Sequence, residues 1–440
     1  MTIAQNLTAL IRRILAQKGK KTLGKAVSVS VMNQVISSGT NFALGIYLVR
    51  MLEPADFGLY GIGFSISLFY AGIGNALFLT QMVVHTPDKA PEDRLPYAGR
   101  MFVLLAGFCF CTIGLLTVLL LLLGATPWEP VARHAGLAAA VIAASVAYLL
   151  KDFFVRHSYT ARREPWALYV NATVAFALAV LFLILLQTKT EIDSTTGLWI
   201  YAASNMTGAT IGLILARLPL HALKASALAV DAREAWRGGK WALNGTSVSW
   251  LQSQAYMYIT ALLAGPVGVA HANAARLFIT PAAFLMPALS QVVMPRFATR
   301  FSTHPEKIRP IWTLFTAGLI SAAIFYSAIL LSTVDLVTPF LLNKKYEHIT
   351  PLIAAWCLSL IFQFSIGGTS IVLQIMKLFK TLTILNVKSA CLAIAAVFVL
   401  TNIFGVQGAI LGAAVGELVL SVLMYQAINQ KFKTTVKPIK

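Results

Sequence analysis

The feature that most constrains this chain is a train of long apolar runs. Twelve of them, at about 28–49, 58–83, 100–123, 134–154, 166–187, 196–217, 241–264, 268–294, 311–332, 350–372, 382–402 and 406–428, each approach the ~20 residues that a helix needs to cross a bilayer. Without water, a backbone in the hydrocarbon layer must satisfy its own hydrogen bonds, which single segments do as helices. The fold class expected is therefore an all-α polytopic membrane protein. Pro54, Pro127, Gly265-Pro266 and Pro339 fall in the turns between runs. The chain is 58% hydrophobic and only 12% charged, more apolar surface than a water-soluble fold of 440 residues can hide.

A net charge of +19 would suggest nucleic acid in a soluble protein, but here position explains it. If the runs alternate across a membrane, 28 of the 35 lysines and arginines share one face. Arg50, Arg133, Lys189, Lys344 and Lys345 lie on the other. Cytoplasmic loops carry such an excess, so both termini are expected in the cytoplasm, with twelve crossings between them. No nucleic-acid partner is needed.

The chain also looks doubled. The runs at 28–49 and 241–264 are both rich in hydroxyls and amides, and each is followed by a proline-containing turn. Gly-Ala-x-x-Gly recurs in corresponding places, at Gly208-Ala209 with Gly212 and at Gly408-Ala409 with Gly412. The expected organisation is a basic cytoplasmic N-terminus (1–26), in which Ile3, Leu7, Leu10 and Ile14 form a surface-lying amphipathic helix. A six-helix bundle (27–217), a basic cytoplasmic linker (218–240), a second six-helix bundle (241–430) and a basic tail (431–440) follow. Six is even, so both bundles insert the same way up.

Chemistry concentrates in the run from Val267 to Arg296, which carries Asn273 and Arg276. A guanidinium near the middle of a spanning helix costs roughly 2.5–3.5 kcal/mol unless it faces a wet cavity or a partner. Arg276 is thus either an anion contact in a transport pathway or half of a structural ion pair. Glu417, at similar depth in the last run, is the partner that depth allows, or else a titrating group that couples transport to protons. Asn33, Gln34, Ser37 and Asn41 form one helical stripe, and Asn244, Gln252 and Tyr256 a second. Such stripes face a cavity or another helix, because lipid would leave the amides unpaired. Lys388 lies near the cytoplasmic end of its run, where it either snorkels or meets substrate. Pro281, Pro287 and Gly367-Gly368 are bend points. The four cysteines show neither disulfide nor metal spacing, no phosphate-binding loop is present, and no cofactor is expected.

The run Leu48-Val-Arg-Met-Leu-Glu-Pro-Ala-Asp-Phe-Gly-Leu-Tyr60 resembles a turn of the polysaccharide transporter family, the Wzx-type flippases. Ala274-Ala-Arg-Leu-Phe, Met286-Pro-Ala-Leu-Ser and Met294-Pro-Arg-Phe look like that family's eighth helix, and Gly405-Val-Gln-Gly-Ala with Glu417 looks like its last. The resemblance implies the MOP superfamily fold, twelve helices in two bundles around a central cavity, with alternating access. It implies a bacterial inner-membrane protein that moves an oligosaccharide on undecaprenyl pyrophosphate to the periplasmic leaflet, for O-antigen, capsule or exopolysaccharide. A polymerase and a chain-length regulator of the same pathway would be its partners. Related lipid II flippases place arginines in the cavity, including on helix eight, and Arg276 is the matching residue.

Two other functions fit parts of the sequence. A cation-coupled multidrug exporter of the same superfamily shares the fold but should favour acidic cavity residues. A membrane polysaccharide polymerase or ligase should carry an extended outer loop, which this sequence lacks. No enzymatic activity is expected.

Overall fold

In the computed structural model the described residues are 20–435, except 125–128, 189–191, 221–223, 287–288, 291–292, 295–296, 298–299, 302–307, 343–344, 347 and 377. The amphipathic helix expected within 1–26 (apart from residues 20–26) and the bend at Pro287 lie outside them. All regular structure among the described residues is helical, and nine helices are long and apolar enough to cross a membrane. This is a multi-pass membrane protein.

The first half consists of α1 (Lys20–Met51), α2 (Pro54–Gly74), α3 (Thr80–His85), α4 (Arg94–Gly124), α5 (Glu129–Thr160), α6 (Glu164–Thr188) and α7 (Ser194–Ala216). A π-helical turn, Asn75–Leu79, joins α2 to α3 without a break. The second half consists of α8 (Ala225–Ala283), α9 (Ile308–Leu342), α10 (Thr350–Ile375) and α11 (Phe379–Thr435). Local chemistry sets several boundaries. Pro54 opens α2, where its missing N–H costs nothing. Asp193 caps α7, accepting from the Thr196 amide at 2.8 Å and the Thr196 hydroxyl at 2.6 Å.

The two longest helices are each broken once by a glycine. Gly265 (φ 68°, ψ −176°) interrupts α8 and Gly405 (φ 59°, ψ −140°) interrupts α11. A side chain at either position would be strained, and Pro266 then restarts the helix. Gly58 has a different constraint, because a Cβ there would overlap the Pro266 carbonyl of α8. The linker expected at 218–240 is helical from Ala225 onward and docks on the first half, through salt bridges from Asp231 to Arg100 and from Glu234 to Lys89.

The two halves share their main core at one end. Leu48, Val49, Leu52 and Phe57 belong to one buried cluster with Val269, Leu342, Ile349 and Ile353 of the second half. At the end where basic residues concentrate, the clusters are separate, apart from Ala235 of α8, which packs into that of the first half. Met101, Leu105, Phe153 and Phe154 are central to one, and Trp312, Ile371, Met424 and Ile428 to the other. The molecule is sealed where the core is shared.

Lys345 reinforces the seal. Its Nζ donates to the Leu52 carbonyl at 3.1 Å and the Met51 carbonyl at 3.4 Å, and contacts Glu53 Oε1 at 3.3 Å. The last carbonyls of a helix lack intrahelical partners and carry its negative dipole end. A lysine from the second half therefore caps α1 of the first.

Candidate functional site

Between the halves lies a cavity of about 430 Å³. α1 contributes Asn41 to its wall, α2 Tyr60 and Ser65, the two arms of α8 Gln254, Asn273 and Arg276, and α10 Gln363. Arg276 is held in place without a carboxylate. Its Nη1 donates to the Tyr256 hydroxyl at 3.1 Å, and that hydroxyl donates to Asn273 Oδ1 at 3.0 Å. The guanidinium lies 5.3 Å from the Trp356 ring centre and 5.8 Å from that of Tyr256. Trp356 is fixed in turn by donating to the Ala272 carbonyl at 2.9 Å. Two rings and a hydroxyl aim a planar cation at the cavity and leave donors for an anion.

Glu417 makes no salt bridge among the described residues, so the pair with Arg276 is not formed in this conformation. Its carboxylate accepts from Ser359 Oγ at 2.5 Å and Gln363 Nε2 at 2.9 Å. Gln363 Nε2 also donates to Ser359 Oγ at 3.0 Å, so the acid communicates with the cavity through Gln363.

A second cavity, about 510 Å³, lies within the first half and shares Asn41 and Tyr148 with the central one. Asn33, Gln34, Ser37 and Asn41 all line it. Asn33 is tied into its wall, donating to Tyr159 at 2.9 Å and accepting from Asn171 at 2.8 Å. The opposite wall is α5, with Lys151, Asp152 and Arg156. Lys151 is 5% exposed, with its ammonium 4.3 Å from the centre of the Tyr148 ring. Arg156 pairs with Asp152 at 3.1 Å. A basic residue near the end of a run, such as Lys151 or Arg156, ordinarily marks the edge of a span. The helix instead continues to Thr160 and brings both to the cavity.

The second predicted stripe is divided. Tyr256 is buried behind the central cavity and positions Arg276. Gln252 turns away and donates to Ser389 of α11 at 2.9 Å, an interhelical bond. Asn244 is exposed and lines neither cavity. Gln254, two residues on from Gln252, takes the cavity position, and its Oε1 has no hydrogen-bond partner among the described residues. Lys388 is exposed, next to exposed Val387 and one turn after exposed Ile384, and lines neither cavity.

No family model matches the sequence, and no curated protein matches it. Solved structures do. A multidrug-resistance MATE family transporter of the MOP superfamily, in an inward-facing conformation, superposes with a TM-score of 0.70 at 14% identity, over 94% of this chain and 100% of that one. The lipid II flippase MurJ, in an inward closed conformation, superposes at 0.68 and 10% identity, over 92% of this chain and 87% of that one. An outward-facing MATE transporter matches at 0.64 and 15% identity, over 95% and 98%. This chain has the fold of MOP-superfamily transporters.

Proposed function

We propose that this protein is a flippase for an oligosaccharide linked to undecaprenyl pyrophosphate, working by alternating access from the cytoplasmic to the periplasmic leaflet of a bacterial inner membrane. O-antigen, capsule or exopolysaccharide assembly would consume its product. The observation that carries the reading is Arg276, a guanidinium aimed into the central cavity with aromatic and hydroxyl neighbours and no salt bridge among the described residues. A pyrophosphate leaving the headgroup region loses its hydration, and a fixed cation offsets that loss. Asn273, Gln254, Gln363 and Ser65 offer the amides and hydroxyls that a glycan needs. Lys151 and Arg156 extend the cationic path through the adjoining cavity of the first half.

In this reading α8 and α11 each cross twice, split at Gly265 and Gly405. That gives twelve crossings in two six-helix halves with both termini cytoplasmic. The sealed end is then periplasmic, and opening requires the shared core and the Lys345 cap to part. The same fold in a multidrug exporter would call for an acid exposed in the cavity. Glu417 instead bonds Ser359 and Gln363 and does not line the cavity, which favours the flippase.

The test is complementation in a strain that lacks its own flippase but makes a matching glycan. Surface polymer should return with the wild type and fail with Arg276→Ala at equal membrane levels. Partial rescue by Arg276→Lys would assign the remaining loss to the bidentate fork. Full activity of Arg276→Ala would remove Arg276 from the site.

A further inference from the structure

A third cavity, about 400 Å³, opens at the basic end of the first half, and the proposed transport path does not use it. Arg94 from the start of α4, Arg163 from the turn before α6 and Arg217 just after α7 converge on it. None of these three makes a salt bridge among the described residues. The contrast with neighbouring cations is sharp: Lys89 pairs with Glu234, Arg100 with Asp231 and Arg156 with Asp152. Asp93 and Glu164 neighbour Arg94 and Arg163 in sequence but form no salt bridge with them among the described residues, and none of the described residues lining the cavity is acidic.

Each arginine is placed by its backbone or its neighbours. Arg94 donates to the Lys89 carbonyl at 3.2 Å, Arg163 lies 4.3 Å from the Trp166 ring centre, and Arg217 holds a left-handed φ of 46°. His157, only 5% exposed, also lines the cavity, and its imidazole has no hydrogen-bond partner among the described residues. Three guanidiniums around one space repel one another unless an anion joins them.

α5 separates this cavity from the transport path. Asp152, Val155, Arg156 and Tyr159 face the polar cavity of the first half, whereas His157, Thr160 and Ala161 face the arginines. The remaining wall, Leu95, Trp166 and Leu215, is apolar, and it continues onto exposed Leu213, Ile214 and Tyr169. A soluble anion has no use for that apolar margin. A lipid does, and tryptophan marks the depth at which headgroups lie.

We propose that this cavity binds the phosphate headgroup of an anionic phospholipid, with the acyl chains lying along the Leu213–Ile214 and Tyr169 surface. Basic pockets between spanning helices serve this purpose on cytoplasmic membrane faces, and the arginine fork suits phosphate oxygens.

The experiment follows the thermal unfolding midpoint of the full-length, delipidated protein in detergent during titration with phosphatidylglycerol, phosphatidylcholine or inorganic phosphate. Phosphatidylglycerol should raise the midpoint saturably, and the other two should not at the same concentrations. The triple variant Arg94→Gln/Arg163→Gln/Arg217→Gln should shift half-saturation to roughly a hundred-fold higher lipid, the factor expected from three basic residues. A control with the same charge loss, Arg233→Gln/Arg237→Gln/Lys240→Gln, should titrate like the wild type. If the triple variant does not fold, Arg163→Gln alone should shift half-saturation about five-fold. Equal stabilisation by phosphatidylcholine would overturn the proposal, as would an equal loss in the control variant. Stabilisation by inorganic phosphate matching that by phosphatidylglycerol would overturn it in favour of a soluble anion.

Discussion

Replacing Lys345 by methionine keeps most of the alkyl stem and removes the charge that caps α1 across the two halves. The contact with Glu53 contributes little, because that carboxylate is 76% exposed and such pairs are worth about 0–1 kcal/mol. The two helix-terminal carbonyls matter more. Hydrogen bonds to a charged group contribute about 1.5–3 kcal/mol, and contacts of 3.1 and 3.4 Å to a lysine that is 26% exposed belong at the lower end. About 2 kcal/mol held only in the sealed state corresponds to roughly a thirty-fold change in the ratio of open to sealed molecules. Leu52 reports on this ratio, because it is fully buried beneath the cap. In a background without native cysteines, a thiol introduced by Leu52→Cys should react with a membrane-impermeant maleimide at a rate set by the open population. Lys345→Met should raise that rate about thirty-fold, and Glu53→Gln less than about five-fold. No acceleration in Lys345→Met, or an equal effect from Glu53→Gln, would refute the carbonyl-capping argument.

Other substitutions probe the frame and the site. Gly58→Val forces a side chain into the Pro266 carbonyl where α2 crosses α8 and should cost about 1–3 kcal/mol of stability, read as a lower unfolding midpoint in detergent. Asp193→Ala removes the cap of α7 and should cost about 1 kcal/mol at neutral pH. Partial burial raises the Asp193 pKa, but the Thr196 hydroxyl and amide bonds outweigh it and hold the carboxyl below its ordinary value. A depressed carboxylate stabilises the fold above its unfolded pKa and loses that contribution as pH falls through the folded one. The Asp193→Ala penalty should therefore shrink toward zero in acid, and a penalty that grows in acid would contradict the assignment. Tyr256→Phe unties Arg276 and Asn273 together and should lower transport roughly ten-fold while the protein accumulates normally.

How much of this could be read in the sequence depended on how one-sided each helix is. In α1 the amides Asn33, Gln34 and Asn41 occupy one face, and in the structure they share one cavity wall. The first arm of α8 has polar residues on two sides, Asn244, Ser249, Gln252 and Tyr256 on one stripe and Gln254 opposite. Nothing in the spacing set its rotation, and the cavity position went to Gln254 rather than Gln252. Arg276 stood out because a deep guanidinium needs a reason. Lys151 did not, because a basic residue near a span end already has one. Helix length was the missing information, since α5 carries Lys151 and Arg156 along a cavity wall before it ends at Thr160. The Lys345 cap joins residues nearly three hundred positions apart, a contact that no local pattern encodes.

The central claim is that Arg276 carries a pyrophosphate-linked lipid through the cavity, and reconstitution tests it most directly. Proteoliposomes would hold a fluorescent oligosaccharide on a polyprenyl pyrophosphate, with an impermeant quencher added outside to report its leaflet. Wild-type protein should move the lipid between leaflets, and Arg276→Ala should slow that transfer about thirty-fold or more, the loss expected from charge-assisted bonds to phosphate. Wild-type transfer rates in Arg276→Ala would contradict the claim. So would a wild-type protein that leaves the lipid-linked glycan in place and exports a cationic dye.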